Sequence, residues 1–249
     1  MPVDSSARHY DHAPILEALV GLQCELPAGT TLADVLGVHT RIKSEFPTRE
    51  ELVNFKIHIQ PTSQSGLSSS EAGGYRLISA DAKQVVRTSL TDFAYSRLAP
   101  YDRWETLREE AKRIWEIYAD VLHPLRITRA AVRYINRVDI PDPTGEGVEL
   151  DTYFRTAPRI APELSQIMRT YFLRLELPMR LPNGLLIVTE TMVQPARIGV
   201  VSTVLDIDCF VQNVDLDPAA AWQVIEELRQ EKNAAFEACI TEATRELIK

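Results

Sequence analysis

Three arginines recur at every fourth position of one segment: Arg129, Arg133 and Arg137. The same segment, Ile127–Ile140, alternates in polarity, with Ala130, Val132, Tyr134, Val138 and Ile140 on the other parity. Alternation of period two is the signature of a strand, in which residues i and i+2 share a face. The three guanidinium groups therefore form a stripe about 26 Å long at about 3.3 Å per residue. A guanidinium presents its donors as a planar fork that matches a carboxylate or phosphate bidentately, so the chemistry to expect from this stripe is oxyanion recognition.

Other predicted strands carry charge on their less apolar faces: Glu17, Lys56, His58, Arg87, Arg174, Glu176, Glu190, Asp206 and Asp208. On one common face they would line a groove or tunnel of interleaved arginines and carboxylates. The candidate ligand-binding set is then Arg129, Arg133, Arg137, Arg87, Arg174 and Glu17, for an anionic small molecule or a protein partner. A second reading uses the acids. Asp206 and Asp208 share a strand face, and with Glu176 and Glu190 they could hold a divalent metal, as in a metal-dependent phosphohydrolase or nucleotide-processing enzyme. The plain alternative is a solvated sheet face whose cross-strand ion pairs are each worth under about 1 kcal/mol. Triphosphate tunnel enzymes also alternate acids and bases on antiparallel strands, but their Glu-x-Glu-x-Lys strand is absent; the first strand here offers Glu17-Ala18-Leu19.

The motifs that would favour catalysis are missing. There is no GxGxxG or GxxxxGK[ST] phosphate cradle, no HExxH and no GxSxG. Apart from the divalent metal of the second reading, no cofactor is indicated. His9, His12, His39, His58 and His123 have no ligand-like spacing, and Cys24, Cys209 and Cys239 read as small buried hydrophobes. A binding protein is expected over an enzyme. The formal charge of −8 disfavours duplex nucleic acid, whose phosphates repel a net anion. No apolar run approaches the roughly 20 residues that cross a bilayer, so a cytoplasmic protein without membrane contact is expected, a homodimer being one form it could take.

The elements that must position these groups follow from periodicity. Strands are predicted at Ile15–Leu26, Asn54–Gln60, Tyr75–Ala80, Gln84–Thr91, which Asp92–Leu98 continues or follows as an added strand, Ile127–Ile140, Thr170–Leu177, Leu185–Val193 and Gly199–Val211. The Ser- and Gly-rich stretch Pro61–Gly74 reads as a loop. Helices are predicted from Thr31 to Phe46, at Asp102–Leu122 behind an Asp102/Glu105 capping box, over a short Leu150–Arg155, and at Asp217–Ile248 behind an Asp217 cap and Pro218. The stripe Trp104, Leu107, Ala111, Ile114, Trp115, Tyr118 and Leu122 falls at helical spacing and reads as core.

Landmarks repeat. Ile15–Pro27 and Ile127–Pro141 both read as a strand ending in an apolar residue and proline, and each half closes on a long amphipathic helix, displaced by nearly the same number of residues. The expected fold is α+β: one domain over 1–249, with pseudo-two-fold halves 14–123 and 124–249. Each half is β-α-β-β-β-α, giving a twisted antiparallel sheet with the helices packed on one face.

Four blocks and the closing Leu205–Asp208 strand carry a resemblance. Pro14-Ile15-Leu16-Glu17-Ala18 is similar to a P-I-x-E-A opening. Phe93–Glu105 resembles an F-S-x-L-x-P-Y-x-x-W-E block, Arg133-Tyr134-Ile135-Asn136-Arg137 an R-Y-I-N-R block, and Lys232–Phe236 a K-N-x-x-F block. Together they resemble a sporadically distributed bacterial protein family of unknown function. The resemblance spans nearly the whole chain and implies no activity, cofactor or catalytic residue.

Overall fold

The computed structural model describes residues 10–58, 67–166 and 168–249, with backbone alone for 54–58 and 67–72. Its elements are β1 (Ile15–Glu25), α1 (Leu32–Ile42), β2 (Thr48–His58), β3 (Leu67–Ile78), β4 (Gln84–Thr88), β5 (Asp92–Leu98), α2 (Trp104–Leu122), β6 (Arg126–Pro141), a 3-10 turn at Leu150–Thr152, β7 (Phe172–Pro178), β8 (Gly184–Val193), β9 (Val200–Leu216), α3 (Pro218–Cys239) and α4 (Glu242–Leu247). The class is α+β, as expected. The nine strands form one sheet in the order β2-β3-β4-β5-β1-β6-β9-β8-β7, and every pairing is antiparallel.

The strand bearing the arginines sits near the middle of this sheet, between β1 and β9. Strand β6 pairs with β9 from Ile127–Leu216 to Pro141–Val200, and with β1 from Ile15–Asn136 to Glu25–Arg126. A residue paired on both sides cannot slip register without moving its side chain to the opposite face. The parity read from the sequence is therefore held by two neighbours at once.

One parity of the central strands is core: Ala18, Val20, Leu22, Val132, Tyr134, Ile207 and Cys209 are nearly or wholly excluded from solvent. Helix α2 packs against β5 and β1, and α3 against β6 and β9. Trp115 stacks on Tyr118 with ring centroids 5.1 Å apart, and Phe93 of β5 meets both rings. The Trp104 indole N–H donates to both oxygens of Glu226, each at 3.1 Å, tying the start of α2 to α3.

Several expectations are corrected. The Pro61–Gly74 loop is in part strand: β3 runs from Leu67 and pairs with the whole of β2, from Thr48–Ile78 to His58–Leu67, while residues 61–66 lie outside the described residues. Ladder hydrogen bonds come from the backbone, so a Ser-rich segment can fill a strand when a partner of matching length is beside it. Asp92–Leu98 is a separate strand, which gives the first half four strands after α1, not three. The short helix at Leu150–Arg155 is only a 3-10 turn, so the second half has no counterpart of α1. The Asp102 capping box does not form. Arg103 occupies the N-cap, and Asp102 accepts the Thr106 hydroxyl instead, at 3.2 Å.

Helix α1 stops at Ile42, short of Phe46, although Thr31 begins it as expected, donating its backbone N–H to Asp34 at 2.8 Å. The last helix breaks at Ile240 and Thr241. Ile240 bridges to Phe154: the Arg155 N–H donates to the Cys239 carbonyl at 2.8 Å and the Thr241 N–H to the Tyr153 carbonyl at 3.0 Å, so the residues flanking Ile240 spend backbone groups on the 150s segment. Asp217 caps α3 as predicted, accepting from the Ala220 N–H at 2.8 Å, with Pro218 in the first turn. Among the described residues, no helix is long and apolar enough to cross a membrane.

Candidate functional site

Directly paired residues in an antiparallel ladder project from the same face. The register therefore defines three rows across the sheet on the face that bears the arginines. The middle row is Arg87, Ala94, Gly21, Ala131 and Phe210, from β4, β5, β1, β6 and β9. Two residues along the strands on one side lie Ser96, Leu19, Arg133 and Asp208; on the other side lie Asp92, Gln23, Arg129 and Gln212. Three small residues in a line thus make a floor, and longer side chains surround it.

This floor is the base of a cavity of about 380 Å³, lined by Gly21, Ala94 and Ala131 together with Arg87, Arg129, Arg133, Asp208, Gln23 and Asp92. Leu52 of β2 and Gly73 of β3 line it too, though both strands stand on the far side of β4 in the sheet order. The sheet therefore curls over its own face. The ladder shifts register between Leu52 and Val53, opposite the Gly73–Gly74 pair, and such a bulge locally increases twist and bends the strand. Gly74 has φ +150°, and a Cβ there would stand 2.3 Å from the Thr88 carbonyl oxygen, so the bend requires glycine.

The three arginines of the stripe have different surroundings. Arg133 is braced: its Nε and Nη2 donate to the two oxygens of Asp206 at 2.9 and 2.6 Å, a bidentate fork. Those hydrogen bonds raise its pKa. Arg137 is also committed, donating to Asp139 at 3.0 Å and to the Gln194 carbonyl and Ser202 hydroxyl, each at 2.9 Å; it holds the turn after β8 and lines no part of the cavity.

Arg129 is the least satisfied. Among the described residues it makes one hydrogen bond, 3.4 Å from Nη2 to Asp208, while its guanidinium lies 4.1 Å from the Phe210 ring centroid. Burial pulls its pKa down, and Asp208 opposes that. Burial likewise raises the pKa of Asp208 against the pull of Arg129 and Arg133, and its Oδ1 is buried with no hydrogen-bond partner. A guanidinium has five N–H donors, so Arg129 keeps most of its capacity.

Arg87 comes to the same cavity from the opposite side and, among the described residues, forms a 3.8 Å ion pair with Glu17. Arg174 shares the face but lies out on edge strand β7, donating to Glu176 at 3.0 and 3.1 Å in an exposed pair away from the cavity.

The acids do not form one cluster. Asp206, Asp208 and Glu176 share the arginine face, but Glu190 pairs with Leu205, on the other parity of β9. Glu190 is wholly buried on the opposite face, where it accepts the Tyr171 hydroxyl at 2.6 Å and the Thr156 hydroxyl. The expectation of a shared carboxylate set fails here on parity: Glu190 is an even position in a strand whose odd positions face the arginines. Among the described residues, no group of three or more His, Cys, Asp or Glu is placed to hold a metal ion. The side chains of Lys56 and His58 lie outside the described residues.

Sequence reasoning missed the floor. Gly21 was its one available signal: glycine inside an otherwise regular strand weakens it and often marks a place where something approaches the backbone closely. No family model matches the chain, and no curated protein does.

Proposed function

We propose that this protein is a non-enzymatic ligand-binding protein that holds an anion in the cavity above Gly21. The observation that carries this reading is the convergence of Arg87 from β4 with Arg129 and Arg133 from β6 on one concave space in which Arg129 retains unused donors. Arginines stay charged at any working pH, and the carboxylates beside them are partly spent in orienting them. That set is suited to holding an oxyanion. The anion would supply the partners that Arg129 lacks, in a site where partial burial strengthens each contact.

The same reading takes the chain as a duplication. Strands β1 and β6 meet antiparallel at the centre, and each pairs next with the last strand of its own half, β5 and β9. It also places the long helices on the face opposite the cavity. Tyr118 of α2 reaches Cys24 at 3.4 Å, and Lys232 of α3 lies over the Tyr134 ring, while Cys24 and Tyr134 share the apolar parity of their strands. The resemblance in the Arg133–Arg137 block would make this cavity a property of the bacterial family as a whole.

Titration calorimetry with inorganic phosphate tests the site. Binding by the wild type and its loss in Arg129→Ala, with a smaller loss in Arg133→Ala, is expected. Equal binding by Arg129→Ala and wild type, or none by the wild type, would falsify the anion site.

A further inference from the structure

The anion site has a shape as well as a charge. Resting on the reading of the cavity as an anion site, we infer that its ligand is an aryl oxyanion: a flat aromatic ring carrying a phosphate or carboxylate. The ring would lie on the floor of Ala94, Gly21 and Ala131, and the oxyanion would be held by Arg129 and Arg87.

The register fixes the size of the floor. Three adjacent strands span about 10 Å, and the flanking rows stand about 7 Å away along the strands on each side. That area accommodates one aromatic ring. The floor is apolar, and Leu19 and Leu52 add apolar wall, so a ligand that presented only charge would leave this surface unused.

Gly21 is what opens the space. Glycine in a strand interior costs stability, about 0.5–1 kcal/mol relative to alanine. Nothing in the fold demands that cost here. A Cβ at Gly21 would meet the Leu19 Cδ2 at 3.4 Å, and the Ala131 Cβ and Phe93 carbonyl oxygen at 3.9 Å, all ordinary van der Waals contacts. Gly74 is different, since backbone blocks a Cβ there. The missing side chain at Gly21 therefore leaves volume free above the sheet, at the centre of the arginine-rimmed cavity.

The test pairs anions that share a head group and differ in the ring: phenyl phosphate against methyl phosphate, and benzoate against acetate. Each is titrated into wild type and into Gly21→Val, whose β-branched side chain suits a strand and fills the floor. Wild type is expected to bind the aryl member of at least one pair about tenfold more tightly, the gain from burying one ring face. In Gly21→Val that preference is expected to collapse to within about twofold, with the alkyl anion still bound. The pair that shows the preference identifies the head group. Ala131→Val, on the neighbouring strand, repeats the measurement should Gly21→Val lose its cooperative thermal transition. Binding of methyl phosphate or acetate with no aryl preference overturns the flat-ligand inference and leaves the anion site standing. An aryl preference undiminished in a folded floor variant also overturns it. Failure of all four anions overturns the anion site, and this inference with it.

Discussion

Arg133 and Asp206 stand on the adjacent strands β6 and β9 and close a two-pronged hydrogen-bonded fork, with N···O distances of 2.9 and 2.6 Å. The pair leaves Arg129 as the stripe's under-satisfied guanidinium, since Asp206 is spent and Asp208 reaches Arg129 with only one long contact. The stripe is thus chemically graded along its length: Arg137 anchors a turn, Arg133 braces the sheet, and Arg129 is held open beside the cavity.

Breaking the brace should cost more than removing it. Arg133→Ala leaves Asp206, whose side chain is 15% exposed, without its partner, whereas the Arg133→Ala/Asp206→Ala double variant removes both charges. Because Arg133 itself is 41% exposed, solvent screens the pair, and a destabilisation of about 1 kcal/mol is expected for the single variant. Urea denaturation should place the double variant between the single variant and wild type. A double variant less stable than either single variant would mean that the two residues act independently.

Two strand glycines should respond oppositely to the same substitution. Gly74→Ala forces a Cβ against the Thr88 carbonyl oxygen and an L residue into φ +150°, which must loosen the β3–β4 pairing and the curl that brings Leu52 over the cavity. A loss of about 1–3 kcal/mol is expected. Gly21→Ala should be neutral or stabilising, by up to about 1 kcal/mol, because it restricts the unfolded chain without a clash. Thermal denaturation of both variants decides the matter; a destabilised Gly21→Ala would show that the floor glycine is structural.

The parity of β6 was legible because all three arginines fall on one parity while Val132, Tyr134, Val138 and Ile140 make the other bulky and apolar. That one segment located the arginine face and the long β6–β9 ladder. Glu190 was not legible in the same way. Strand β8 opens with Gly184-Leu185-Leu186-Ile187-Val188, apolar on both parities, and then places Thr189 and Thr191 on one parity and Glu190 on the other, so nothing in it marks which face a carboxylate would take. The cavity was hidden for another reason. Its lining comes from seven strands, and what assembles it is the curl produced at Gly73–Gly74, a non-local consequence of a bulge inside a segment whose composition reads as loop.

Glu190 should matter to stability and not to binding. It is a fully buried carboxylate that accepts the hydroxyls of Thr156 and Tyr171, and Tyr171→Phe removes one of these donors while preserving the ring. A loss of about 1–3 kcal/mol is expected, the cost of leaving a buried acceptor short of a partner. Phosphate affinity should stay within about twofold of wild type, because Glu190 projects from the face opposite the cavity. A tenfold change in affinity would show that the two faces communicate.

Lys232 should make the fold pH-sensitive. Its amine lies 3.7 Å from the Tyr134 ring centroid, among the described residues it has no carboxylate hydrogen-bonded to it, and burial pushes its pKa down to about 7, with the Arg229 charge adding to the effect. Cys209 and Glu237 act weakly in the opposite direction. An amine with a depressed pKa carries fewer protons folded than unfolded between about 7 and its ordinary 10.5. Its contribution to stability therefore rises as pH climbs through that window, by up to about 1.4 kcal/mol per pH unit, and the penalty is fully present below it. Lys232→Met keeps a long unbranched chain against Tyr134 and removes the titration. Melting curves should show the variant stabilised relative to wild type at pH 6, with the difference shrinking by pH 9. A difference that is constant across this range would show that Lys232 stays charged over the Tyr134 ring at every pH tested.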